Sequence, residues 1–429
     1  MLSEKWRLNG NLYYTSVFFI LMAVFISLAF SIRFVNSTSV VLLAFAILLR
    51  PDRTSLIKQA FKDHFFISSL CFVLINLAGL LYTNNVSQNL KEFSVKAGMI
   101  SVSLFFCADI CRGKINLRQI MTIFTACLAA ATLYCIFNAL YIYLVQRDSS
   151  SFFYHNLVKP FNEHAVYYSF YLLFCFIYWN EEGITTVDKA KKKIAIISIL
   201  IYFFIVIILL SSKIVLGILL VYLLYFIPSR LVKKRNKKIF FLMVGVLSII
   251  LFVLAATNNP VKKRFSDMAA GTSTLFQQEK FTPGVYFNGL QFRLLTWRFT
   301  SEILNEQKSW LLGVSPGDGK EALQKKYVET NMYQGDGINS QGYLQYDCHN
   351  VYLETILESG LIGLVSLLSL IITFLIKIMK SKSRTALIFF ISMLIFGFTE
   401  SYLSRQYGIV LFTFLPLLAL SNTNSSAIK

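Results

Sequence analysis

The sequence predicts an all-α polytopic membrane protein, and three observations carry that reading. Of 429 residues, 56% are hydrophobic and only 15% charged, with 40 Phe and a mean hydropathy of +0.60. A soluble globular domain carries about 25% charged residues, so an ordinary soluble enzyme, a disordered chain and a collagen-like fibre are excluded. The apolar residues gather in runs of roughly 14 to 27, near the length that crosses a hydrocarbon core of about 30 Å as a helix. The net charge of +19 is concentrated in short connections between those runs. No basic stripe with interleaved aromatics lies on a soluble segment, which excludes nucleic acid as a partner.

About twelve spans follow, near 15–32, 36–49, 65–82, 93–111, 119–145, 164–180, 194–211, 214–228, 239–256, 351–376, 385–399 and 406–421. The first shows no small-residue cleavage pattern and reads as a retained span. An even count places both termini on one side. The loops on that side carry twenty-one Lys and Arg, among them Arg50, Arg112, Lys191, Lys234 and Lys380, against seven opposite, including Lys96, Lys213 and Arg405. The positive-inside rule puts the richer side, and both termini, in the cytoplasm.

One connection breaks the pattern. Residues 257–348 form a polar stretch of 92 residues on the outer side, with ten Lys and Arg nearly balanced by nine Asp and Glu, together with Trp297, Trp310 and several Tyr. A loop of this length is uncommon unless functional or disordered, and this composition predicts a small ordered domain. The organisation is therefore residues 1–256 as spans one to nine, 257–348 as a loop domain and 349–429 as spans ten to twelve. Within the loop, 292–312 reads as a helix with Leu295, Phe299 and Ile303 on one apolar stripe.

The chain has no P-loop, dinucleotide glycine fingerprint, H-E-x-x-H or G-x-S-x-G elbow, so nucleotide-driven pumping is not expected. Its seven cysteines lack partners at metal-ligand spacing and read as packing residues, and no Asp-x-Asp pair lies on the outer face. Neither a metal nor a cofactor is expected. What remains is a set of polar groups at outer helix ends.

His349 and Asn350 open a long apolar run, where the helix dipole and unsatisfied N–H groups favour an anion. Glu354 and Glu358 follow one turn apart on the same face, and carboxylates at that depth should line an internal cavity. Gly360 and Gly363 permit close helix approach. Upstream, Arg293 and Trp297 precede a stretch containing Gly313, Gly317 and Gly319. Lys213 follows Ser211 and Ser212 at a helix junction, where a lysine either snorkels or meets an anion. His164 begins another span at the outer face, and Arg264 adds a cation early in the loop.

Together these segments resemble the O-antigen ligase superfamily, which includes the ligases that attach O-polysaccharide to lipopolysaccharide core and the O-antigen polymerases. The H-[N/S/Q]-x9-G-x-x-G signature of that family matches His349, Asn350, Gly360 and Gly363. Its R-x-x-x-W helix leading to a Gly-rich turn is similar to Arg293, Trp297 and the 313–319 stretch, and Lys213 stands where the family has an arginine after a serine.

The resemblance implies a GT-C-type glycosyltransferase of the bacterial inner membrane with a periplasmic active site. It would transfer polysaccharide from undecaprenyl diphosphate to lipid A-core with inversion. His349 would be the base, Arg293 and Lys213 would hold the diphosphate, and Arg264, His164, Asn350 and Glu354 would contact substrate. The alternative within the family is a polymerase whose acceptor is a second lipid-linked glycan. A transporter of lipid-linked sugar would instead need broken helices and paired repeats at mid-membrane, and the sequence shows neither.

Overall fold

In a computed structural model of the chain, residues 10–50, 52–107, 116–184, 190–229, 278–336 and 340–426 are described, with isolated positions between 245 and 262. About 80% of the described residues are helical, and they contain no strand. In chain order the helices are α1 (Gly10–Ala29), α2 (Arg33–Leu48), α3 (Arg53–Ala60), α4 (His64–Ala78), α5 (Val86–Cys107), α6 (Leu117–Gln146), α7 (Tyr154–Val158), α8 (Ala165–Tyr178), α9 (Ala190–Leu210), α10 (Lys213–Val221), α11 (Gly289–Glu306), α12 (Gly319–Glu329), α13 (Val351–Ser381), α14 (Arg384–Gly397), α15 (Gln406–Ile409) and α16 (Leu415–Ser426). Eleven of the twelve apolar runs coincide with these helices. The run near 239–256 lies almost wholly outside the described residues.

Among the described residues four helices are long and apolar enough to cross a membrane. They are α4 with the 3₁₀ turn that extends it to Leu81, α6, α9 and α13; a fifth is added if α2 and α3 form one bent span. The shorter apolar helices run over Tyr13–Ala29, Lys213–Ser229, Arg384–Gly397 and Gln406–Leu420, the second and fourth each passing through a π-helical segment.

The chain divides into two compact units. One comprises Met1–Leu28, Ile32–Ile123 and Gly271–Lys429, and the other Ala29–Ser31 and Phe124–Ala270. In the first, α13 runs along α4, with Ser68 Oγ and Thr373 Oγ1 2.7 Å apart and Lys377 Nζ donating to Asp63 Oδ2 at 2.8 Å. The same Asp63 caps α4 by accepting from Phe65 N.

Phe292, Leu295, Phe299 and Ile303 of α11 pack with Phe281, Phe287, Leu323 and Tyr327 of the polar segment and with Leu357 of α13, so the predicted apolar stripe is buried between the segment and the start of that helix. Helix α11 begins at Gly289, three residues before the predicted start. Asn288 accepts from Leu290 N and Gln291 N while Gln291 reaches back to Asn288 N, a reciprocal cap that sets the boundary.

Helix α13 is broken at Gly360, whose φ of 61° lies in the left-handed region, where the expectation was an unbroken helix with Gly360 simply allowing close approach. The break frees Leu357 O and Glu358 O, which accept from Val314 N at 2.8 Å and Ser315 N at 3.1 Å. Beyond it, Leu361 N donates to Trp310 O at 2.8 Å and Ile362 N to Leu311 O at 3.3 Å. A Cβ on Gly360 would strike the Leu311 backbone, and one on Gly313 (φ 74°) would strike the backbone at Glu358. Two glycines 47 positions apart in sequence are thus the crossing points of one backbone-to-backbone splice.

In the second unit every residue of α8 is buried. Trp179 Nε1 donates to Thr125 Oγ1 at 2.6 Å, and Tyr222 OH donates to Glu181 Oε1 at 2.8 Å. Here apolar packing is supplemented by polar pairs.

Candidate functional site

The start of α13 forms the site. His349 precedes the helix in a left-handed conformation (φ 47°), uncommon for a residue with a side chain. Asp347 holds the turn by accepting from His349 N through Oδ1 at 2.9 Å. Asn350 is the cap: its Oδ1 accepts from Tyr352 N and Leu353 N, and its backbone N donates to Ser401 Oγ. The Asn350 side chain, expected to contact substrate, is occupied by this work.

The imidazole of His349 lies between two carboxylates, with Nδ1 3.5 Å from Asp347 Oδ1 and 3.9 Å from Glu400 Oε2. Phe292 and Tyr346 flank the ring at centroid distances of 5.8 and 5.6 Å. Burial alone would lower the pKa of His349, but the charges of Asp347 and Glu400 outweigh it and raise the group above its ordinary value near 6.5. Negative groups on the Nδ1 side favour a proton there, which leaves the Nε2 lone pair as the basic one.

Arg293 reaches the same place from α11. Its Nε and Nη2 donate to Thr399 O at 3.0 and 2.9 Å, Nη1 to Gly289 O at 2.9 Å and Nη2 to Glu400 Oε1 at 3.2 Å. Of its five N–H groups, one on Nη1 has no hydrogen bond among the described residues. Arg405 adds a more exposed cation, its Nη2 3.4 Å from Asp347 Oδ2. His349, Arg293, Asn350 and Glu354 are thus gathered where α11, the start of α13 and the 398–405 connection meet.

Glu354 and Glu358, expected to line an internal cavity, each have a buried polar partner. Glu354 Oε2 accepts from Ser404 Oγ at 2.7 Å, and Glu358 Oε2 pairs with Lys96 Nζ at 2.6 Å, with Asn76 Oδ1 also accepting from Lys96 at 2.8 Å. Two carboxylates in an apolar span are tolerated because each is hydrogen-bonded.

The Gly-rich stretch is fastened, too. Asp318 Oδ2 accepts from Ser315 Oγ, Thr83 Oγ1 and Asn84 N, and Tyr82 OH donates to Leu312 O at 2.7 Å. Cys348, beside His349, is buried in the segment's core, and burial pushes its thiol well above the usual range.

Lys213 and His164 belong to the second unit. Lys213 is the first residue of α10, after Ser211 in a left-handed turn (φ 42°) and Ser212 at the cap position. His164 precedes α8, its ring 4.4 Å from that of His155 and 6.1 Å from that of Tyr167. Arg264 lies outside the described residues.

Glu400, Asp347, Arg405 and Lys96 were not singled out by the sequence. The one available signal was Glu400 itself, an acid at the end of an apolar run.

The family model described as O-antigen ligase matches residues 197–368, an interval that contains Lys213, Arg293 and His349. No curated protein matches the chain.

Proposed function

Residues 197–368 match the family model described as O-antigen ligase, and from that likeness we propose that the chain transfers polysaccharide from undecaprenyl diphosphate to the lipid A-core of lipopolysaccharide at the periplasmic face of the inner membrane. One observation carries the reading: a largely buried histidine flanked by two carboxylates on its Nδ1 side, with two arginines within the same cluster.

The chemistry asks little more of the protein. A glycan on a diphosphate already has a good leaving group, so transfer needs a base and cations but no nucleotide. The acceptor hydroxyl gives its proton to His349 Nε2 and its oxygen attacks the anomeric carbon, while the bond from that carbon to the phosphate oxygen breaks. One displacement inverts the centre. Charge growing on the diphosphate falls to Arg293, through its uncommitted N–H and its proximity, and to Lys213. Arg405, beside Asp347, is a further cation next to Arg293 and His349.

The test is incubation of the purified protein with lipid-linked glycan, with rough lipopolysaccharide present or omitted. Product on lipid A-core is the expected outcome. A longer lipid-linked chain formed without the second acceptor replaces the ligase assignment by polymerase, and no transfer under either condition overturns both.

A further inference from the structure

We propose that the cleft lined by Tyr286, Tyr333, Tyr343, Tyr346, Gln345 and Ser340 in the polar segment binds neutral sugar rings of the glycan, a proposal that rests on reading the chain as a glycan transferase. The cleft holds about 380 Å³, within the roughly 300 to 1,000 Å³ of small-molecule sites.

Its construction is specific. Tyr333 O accepts from Tyr343 N at 2.9 Å and Ser340 O from Asp336 N at 3.1 Å, so the two stretches of chain that form the cleft are hydrogen-bonded together. Gly335 (φ 92°) and Gly342 (φ 56°) permit their approach, since a Cβ on either would strike the facing backbone. Tyr343 is fixed: its OH accepts from Phe287 N at 2.8 Å, and its ring stacks on Phe292 at 5.2 Å. The others are open, with Tyr286 84% exposed, Tyr333 40% and Tyr346 37%. Exposed tyrosines around a rigid aromatic floor are costly to leave in water unless a ligand covers them.

The chemistry of the lining selects the occupant. Among the described residues no Asp, Glu, Lys or Arg lines the cleft, and recognition of a phosphate calls for cations. An isoprenoid chain would want aliphatic walls, and among the described residues only Val285 and Pro283 line it with aliphatic side chains. A pyranose ring presents an apolar C–H face that lies on an aromatic face, and hydroxyls that pair with an amide, a serine or a phenol. Tyr346 closes the argument. It lines the cleft and also stands 5.6 Å from the His349 ring, so a glycan lying on the tyrosines would have one end beside the base.

Calorimetric titration of the full-length protein in detergent micelles tests this with two probes. One is oligosaccharide released from the lipid-linked donor, and the other is delipidated core oligosaccharide. Saturable binding of either supports the site and says whether donor or acceptor glycan occupies it. Tyr286→Ala and Tyr333→Ala should each weaken that binding about threefold to tenfold, Tyr286→Trp should restore it, and Lys325→Ala, a surface change in the same segment, should leave it unaltered. Pyrophosphate should not compete. Binding of neither probe by wild-type protein, binding unchanged in both alanine variants, or displacement by pyrophosphate overturns the site. Saturable binding by a wild-type protein that performs no transfer would leave the cleft standing and remove the transferase reading instead.

Discussion

Arg293 and Glu400 are joined at 3.2 Å across 107 positions of sequence, and the second oxygen of that carboxylate faces His349 at 3.9 Å. One buried group therefore neutralises the arginine and biases the charge of the histidine. Asp347 acts from the other side, on both the ring and the backbone turn that presents it.

This arrangement has a pH signature. Burial works against the charged imidazole, yet Asp347 and Glu400 raise its pKa above about 6.5 overall. A base must be neutral, so transfer should fall on acidification through that raised pKa, and the acidic limb should lie above about pH 6.5. Glu400→Gln removes one of the two charges that favour the imidazolium and should move the limb to lower pH. Transfer rates of both proteins across pH 5 to 9 provide the check, and superimposable profiles would refute the electrostatic role of Glu400.

His349→Ala should abolish transfer without unfolding the protein. Removing a general base typically costs about 10² to 10⁴ in rate. The cap of α13 is supplied by Asn350 and the turn by Asp347, so the imidazole is not needed to start the helix. Near-normal turnover by a well-expressed variant with an unaltered elution profile would eliminate His349 as the base.

Much of the fold was readable because it depends on local apolar content. Eleven runs became helices, and the Leu295, Phe299 and Ile303 stripe was buried as a period of 3.6 requires. What escaped was pairing at long range. Lys96 looked like one more loop-edge charge, yet its partner Glu358 lies 262 positions away, and nothing local in either segment announces the other. The break at Gly360 was hidden for the same reason: a glycine in an apolar run gains its meaning only from Trp310 to Ser315 crossing it. At the site, the motif located His349 and Arg293, but the carboxylate linking them sits on a third segment.

The buried pair Lys96 and Glu358 should be more costly to break than to replace. Losing one partner leaves a charge uncompensated in an apolar interior, typically a loss of about 3 to 5 kcal/mol. Lys96→Met or Glu358→Leu alone should therefore lower the temperature of aggregation in detergent markedly, and the double variant should recover most of the loss. A double variant no better than the worse single one would show that the pair does not act as a unit.

Gly360→Ala tests the splice. It places a side chain both at a left-handed φ and against the Leu311 backbone, so neither a rotamer change nor local repacking relieves it. Reduced yield and a lower aggregation temperature are expected, with Gly363→Ala milder, since a Cβ there meets mainly the Ser359 side chain of its own helix. Equal effects at the two positions would contradict the break as the reason for the first glycine.

The proposed diphosphate cations differ in what each can tolerate. Arg293 uses the planar spread of its guanidinium to reach Thr399, Gly289 and Glu400 together, and a lysine ammonium cannot span the three. Arg293→Lys should therefore impair transfer even though charge is kept, partly by loosening Glu400 and with it His349. Lys213 begins a helix, where a point charge acts without a fixed fork, so Lys213→Arg should retain activity and Lys213→Ala should raise the donor concentration needed for half-maximal rate. Rates against donor concentration at matched expression separate these outcomes. Full activity in Lys213→Ala would reduce that lysine to an interfacial residue and leave the diphosphate to Arg293 and Arg405, whose own alanine variants would then have to carry the entire loss.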